Sequence, residues 1–160
     1  MILIALYLIA IVLANLSVAQ FGAEVTIINA FLFIGLDLTT RDKLHDQWSS
    51  NLWRNMLILI ATGSVLSALF NYQASQIALA SFLAFAFAGI ADTIIYQLLG
   101  DKSKLIRVNG SNIVSAGVDS FVFPAIAFGF PLLVPIMIGQ WVAKTLGGFL
   151  WSLILNRSEG

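Results

Sequence analysis

Six apolar runs, each about the length a helix needs to cross a bilayer, fill most of this 160-residue chain and leave it few ways to fold. A spanning helix presents roughly 20 mostly apolar residues to a hydrocarbon core about 30 Å thick. On that ruler the runs extend over about Met1 to Ala19, Glu24 to Thr40, Leu52 to Phe70, Ser75 to Leu99, Ser111 to Phe130 and Leu132 to Leu155. The second is short and ends in polar residues, and Pro131 and Pro135 mark a tight connection between the last two.

A water-soluble alternative has too little polar material. Hydrophobic residues make up 59% of the chain and charged ones 10%, with a mean hydropathy of +0.94. A soluble domain carries roughly 25% charged residues, so eight basic and eight acidic side chains cannot coat one of this length. Barrel strands would alternate in polarity over segments of about 10 residues, whereas Ile77 to Ile90 is apolar or small throughout. The expected fold class is all-α: a polytopic membrane protein, with residues 1–160 forming one compact transmembrane bundle.

Charge and cysteine content exclude several functions. The net charge is zero and no basic run longer than two residues occurs, so nucleic-acid binding has no electrostatic footprint. Without cysteine there are no disulfides, thiolate metal sites or cysteine nucleophiles. The basic residues do carry topology, because Lys and Arg are retained on the cytoplasmic side of short loops. Arg41, Lys43 and Arg54 flank the connection between runs two and three; Lys102, Lys104 and Arg107 lie between four and five; Arg157 follows six. The alternate loops contain no Lys or Arg, which places both termini in the cytoplasm and the bundle in an inner membrane. Ser17-Val18-Ala19 resembles a signal-peptide cleavage pattern, but the positive n-region that accompanies one is missing.

Lys144 stands apart from the other basic residues, near the centre of the sixth run. A charge there costs about 2.5 to 3.5 kcal/mol on insertion scales and normally faces a partner or a wet cavity. Asp119 lies at similar depth in run five, on a consecutive antiparallel helix, so the two are expected within reach of each other. Asp92 lies in the cytoplasmic half of run four and Asp37 near the cytoplasmic end of run two. Residues three or four apart share a helix face. Asn112, Ser115 and Asp119 then form one polar stripe, Gln140 and Lys144 align with Gly147 and Trp151, Phe85 and Gly89 with Asp92 and Tyr96, and Asn29 and Phe33 with Asp37 and Arg41. Converging, these faces would enclose a polar pocket in an apolar shell, the usual form of a small-molecule site. The blander reading makes Asp119, Lys144, Asp92 and Asn112 interhelical ties only.

Other features point to packing. Arg41-Asp42-Lys43-Leu44-His45-Asp46 lacks the ligand set of a metal site and reads as an interfacial helix end anchored by Leu44, Trp48 and Trp53. Small residues recur four apart, as Ala10 and Ala14 and as Ala80, Ala84 and Ala88, and suit either internal packing or a homo-oligomer interface. Pro124 frees a backbone carbonyl within the fifth run. No G-x-x-x-x-G-K-[ST] loop is present, no catalytic constellation is recognisable, and no cofactor is implied.

The stretch Ala30-Phe31-Leu32-Phe33-Ile34-Gly35-Leu36-Asp37-Leu38-Thr39-Thr40-Arg41-Asp42-Lys43-Leu44-His45-Asp46-Gln47-Trp48 resembles the signature of the queuosine-precursor transporters, a family formerly described as vitamin uptake transporters. So does Ser111-Asn112-Ile113-Val114-Ser115-Ala116-Gly117-Val118-Asp119-Ser120-Phe121-Val122-Phe123, and Ala14-Asn15-Leu16-Ser17-Val18 and Ala91-Asp92 fit the same pattern. The chain is short for the family and resembles the compact variants of phages and some bacteria. The resemblance implies a six-helix importer of 7-cyano-7-deazaguanine and its aminomethyl relative. Such a base offers ring N–H and amine donors to a carboxylate, Asp119 or Asp92, and a carbonyl to Asn112 or Gln140. Lys144, Asp37 and Arg41 complete the candidate site. The expected protein is a carrier without its own ATPase; the alternative is the substrate-binding subunit of a multi-subunit vitamin importer.

Overall fold

A computed structural model describes residues 2–34, 36, 44 and 51–157. Six helices make up the described chain: α1 (Ile2–Phe21), α2 (Val25–Asn29), α3 (Leu52–Phe70), α4 (Ser75–Leu98), α5 (Lys104–Phe128) and α6 (Val134–Arg157). A π-helical turn (Ala30–Ile34) continues α2, and a 3-10 turn (Tyr72–Ala74) links α3 to α4. Among the described residues there is no strand, and the chain forms an all-α membrane bundle.

Local chemistry sets the helix ends. Gly22 and Gly129 adopt φ of 79° and 71°, a left-handed conformation that glycine takes without a Cβ penalty. Their N–H groups bond back to Val18 O at 2.9 Å and Ala125 O at 3.1 Å, closing α1 and α5. Between α3 and α4, Asn71 accepts a hydrogen bond from Gln73 N at 3.0 Å. Helix α5 begins at Lys104, ahead of the expected start near Ser111; its apolar portion is Asn109–Phe128. A helix need not stop where the hydrocarbon does, because its backbone bonds are internal, and Arg107 is held in the extra turns with its guanidinium 4.0 Å over the Tyr96 ring of α4.

The outward faces are apolar. Ile9 and Leu13 of α1, Ile58 and Val65 of α3, Phe87 and Ile94 of α4, and Val142 and Phe149 of α6 are all exposed. By length and composition Ile2–Phe21, Tyr72–Leu98 and Asn109–Phe128 are long and apolar enough to cross a membrane, and Arg54–Phe70 is a shorter apolar helix. Helix α6 has 24 residues, about 36 Å at 1.5 Å per residue, but Gln140 and Lys144 interrupt its apolar run.

Inside, α4 and α5 pack most extensively, α1 lies against α2, α3 and α4, and α6 lies against α5, α2 and the π turn. The small-residue stripes serve these internal contacts: Ala10, Ala14, Ala80, Ala84 and Ala88 are all buried. Ala80 and Ala84 share a cluster with Phe123 and Ala127 of α5, joined by Val18 and Ile77. A second cluster joins Tyr7 and Ile11 of α1 to Met56, Leu59 and Ile60 of α3, with Phe85 of α4 packed against it. Leu44 belongs to that cluster and is 1% exposed, so it is a core residue rather than the interfacial anchor its sequence context suggested. Gly147 is where α6 meets the π turn: a Cβ there would strike the Phe31 carbonyl oxygen and lie 3.1 Å from both Phe31 C and Cα.

Candidate functional site

Between the two apolar clusters lies a polar layer built from all six helices. On α1, one turn beyond Ile11, Asn15 is 1% exposed. Its amide donates to Ser67 Oγ of α3 at 3.1 Å and accepts from Ser81 Oγ of α4 at 2.6 Å, tying three helices at one level. Ser67 Oγ in turn donates to Gly63 O at 2.8 Å. Asn29 of α2 donates to Ala14 O at 3.2 Å and Ser17 Oγ at 2.7 Å on α1. Each polar side chain is thus answered across a helix boundary, as a buried polar group requires.

Helix α6 closes the layer. Gln140 donates from Nε2 to Thr26 Oγ1 of α2 at 2.9 Å, and its Oε1 accepts from Lys144 Nζ at 3.3 Å. Lys144 Nζ also bonds Asp119 Oδ2 of α5, a salt bridge whose side chains are 3% and 8% exposed. The pair expected from matched depth is therefore formed. Taking these charges out of water costs several kcal/mol per ion, and the attraction offsets this only with further hydrogen bonds, of which Gln140 supplies one. Nearby, Ser120 is fully buried with its Oγ unpartnered, and Pro124 cannot donate to the Ser120 carbonyl one turn back.

These side chains line a small, partly open cavity with about 340 Å³ of empty space, its open mouth included. Asn15, Thr26, Asn29, Ser81, Gln140, Asp119 and Lys144 supply its polar groups, and Phe85, Phe123, Ala14 and Val18 its apolar walls. Amides, hydroxyls and a carboxylate there can read the donor and acceptor edge of a small polar ring, and the phenyl groups can contact its faces.

Of the residues singled out in the sequence, Asp119, Gln140 and Lys144 converge here, with Asn29 and Phe85 from the same helical stripes. Asp92 and Asn112 do not line the cavity. Asp92 is seven residues past Phe85, about 10 Å along α4, half-buried with its Oδ1 unpartnered. Asn112 is seven residues before Asp119 on α5, its carbonyl accepting from Ser115 Oγ at 3.2 Å. Asp37 and Arg41 lie outside the described residues, as do Asp42, His45 and Asp46 of the rejected metal reading. The sequence reading left α1 out of the pocket, yet Asn15 is central to it. The signal was available, since an amide in the middle of the first apolar run needs a buried partner. Thr26 and Ser81 carried no such mark.

A family model described as Putative vitamin uptake transporter matches residues 1–155. No curated protein and no solved structure matches the chain. With 155 residues matched, an apolar outer surface and a buried polar cavity, the chain belongs to the putative vitamin uptake transporter family, integral membrane transporters of small molecules.

Proposed function

We propose that this transporter imports a 7-deazaguanine precursor of queuosine, 7-cyano-7-deazaguanine foremost, across the inner membrane as a carrier without its own ATPase. The observation that carries the reading is the make-up of the cavity: one carboxylate, three amides and two phenyl groups around one small space. A deazaguanine edge presents a ring N–H and an amine beside a carbonyl. Asp119 accepts from the donors through the capacity that Lys144 leaves free, while the amide donors of Asn15, Asn29 or Gln140 meet the carbonyl. Phe85 and Phe123 offer stacking, worth about 1 to 3 kcal/mol per base where it has been measured.

As a carrier, the bundle would expose this site alternately to the two sides of the membrane. The charge distribution supports cytoplasmic termini, with the turns at Tyr72 and Phe130 facing outward.

The test is uptake of labelled 7-cyano-7-deazaguanine by cells that cannot make it. Uptake should require this chain and should fall at least about tenfold with Asp119→Asn at matched membrane abundance, as loss of a charged contact of about 1.5 to 3 kcal/mol dictates. Equal uptake with and without the chain would refute the reading. Uptake that also needs a larger partner chain would make this protein the binding subunit of a multi-subunit importer instead.

A further inference from the structure

Each amide of the polar layer has its orientation fixed by a hydroxyl. Ser17 Oγ, Ser67 Oγ and Thr26 Oγ1 donate to the backbone carbonyls of Ala14, Gly63 and Ala23. With its single proton spent, each of these oxygens can only accept. It therefore turns the NH2 end of a neighbouring amide toward itself: Asn29 toward Ser17 at 2.7 Å, Asn15 toward Ser67 at 3.1 Å and Gln140 toward Thr26 at 2.9 Å. The three amide oxygens then point elsewhere. Asn15 Oδ1 accepts from Ser81 Oγ at 2.6 Å, and Gln140 Oε1 accepts from Lys144 Nζ at 3.3 Å. Asn29 Oδ1 accepts from nothing among the described residues.

Asn29 has also used its donors, since Nδ2 gives one N–H to Ser17 Oγ and the other to Ala14 O at 3.2 Å. It can meet a ligand only as an acceptor. The residue lines the cavity at 4% exposure, yet Oδ1 is not one of the described polar atoms that are sealed in without a partner, so it opens on space rather than on packed protein. Asp119 stands likewise: its Oδ2 holds Lys144, and its Oδ1 is neither bonded nor sealed in among the described residues. Two open acceptors, on α2 and α5, thus share one cavity. An acceptor that a ligand shuts off from water without meeting it is unfavourable.

We infer that Asn29 is a specificity residue of this transporter: its Oδ1 requires a second N–H on the ligand, apart from the edge that Asp119 reads. The inference rests on the deazaguanine reading and assigns to Asn29 the N–H of the five-membered ring. The ligand carbonyl then falls to Asn15 or Gln140, each of which donates one of its two N–H groups within the layer. A ligand substituted at the five-membered-ring nitrogen, as a nucleoside is, has no donor to offer there. Leaving a built acceptor unmet is how a polar site rejects a close analogue.

The experiment is equilibrium binding, to the protein in lipid nanodiscs, of two probes that differ at one ring position. They are 7-cyano-7-deazaguanine and its oxa-analogue, in which oxygen replaces the N–H of the five-membered ring. The unmodified protein should bind the oxa-analogue about tenfold to a hundredfold more weakly, because a lone pair then faces Asn29 Oδ1 in place of a donor. Asn29→Ala should weaken binding of the first probe and bring the two within about threefold of each other, whereas a merely structural Asn29 would weaken both alike and keep their ratio. Equal binding of the probes by the unmodified protein would overturn the inference and leave the nucleobase reading standing. Binding of neither would overturn both. A folded Asn29→Ala protein that keeps the ratio would overturn the role of Asn29. If that variant does not assemble, Asn29→Ser decides by the same ratio, because its hydroxyl can bond the Val25 carbonyl of its own helix and stops short of the ligand.

Discussion

The Asp119 to Lys144 pair gives the most direct measure of how this bundle handles charge in its interior. Lys144→Met leaves the Asp119 carboxylate, 8% exposed, without the ammonium that bonds its Oδ2. Asp119→Asn instead leaves the ammonium with two amide oxygens, that of Gln140 at 3.3 Å and that of the new side chain. Removing one member of a buried pair typically costs about 3 to 5 kcal/mol, whereas replacing both can be nearly neutral. Gln140 shifts the two single changes apart, so Lys144→Met should fall near about 5 kcal/mol and Asp119→Asn near about 3. The double variant should lie within about 1 kcal/mol of the unmodified protein, a coupling energy well above the 0.5 to 3 kcal/mol usual for neighbours. The assay is unfolding in mixed micelles, followed by far-ultraviolet circular dichroism, for all four proteins at one pH. Additive single effects, with a double variant as unstable as their sum, would show that the pair is not energetically coupled and would refute the reasoning.

Three further outcomes follow from other contacts. Asn15→Leu removes hydrogen bonds to Ser67 and Ser81 and leaves the Ser81 hydroxyl without its acceptor, while Ser67 keeps its bond to Gly63 O, so stability measured in the same micelles should drop by about 1 to 3 kcal/mol; no change would show that the network is not holding α1, α3 and α4 together. Gly147→Ala would drive a Cβ into the Phe31 backbone and should destabilise by about 1 to 3 kcal/mol. Gly117→Ala, whose Cβ would meet Trp141 Nε1 at 3.4 Å, should change stability by less than about 0.5 kcal/mol, and equal effects at the two glycines would contradict the close approach at the π turn. For orientation, a cysteine replacing the exposed Tyr72 should react with an impermeant thiol reagent added outside intact cells, and one replacing the exposed Ser103 should react only after permeabilisation; the reverse pattern would invert the topology.

What the sequence by itself determined follows from solvent. A chain with this few charges must place its long apolar runs in lipid, where helices satisfy their own backbone, and so the all-α membrane class and a bundle of six helices were legible from run length alone. Lys144 was legible as a paired residue for the same reason, since a charge at that depth needs a partner, and matched depth on neighbouring helices named Asp119. Periodicity says which residues share a face of one helix, but which faces meet depends on how closely the backbones approach. The tertiary structure decided that. It set a π turn after α2, against which Gly147 packs, brought Asn15 of the first helix to Ser67 and Ser81, and buried Leu44 in one cluster with residues of α1 and α3. The same placement left Asp92 and Asn112, equally polar and equally well spaced in the sequence, outside the cavity. Their helices do meet, but a carboxylate two turns from the polar layer lies about 10 Å from it, beyond the reach of a hydrogen bond.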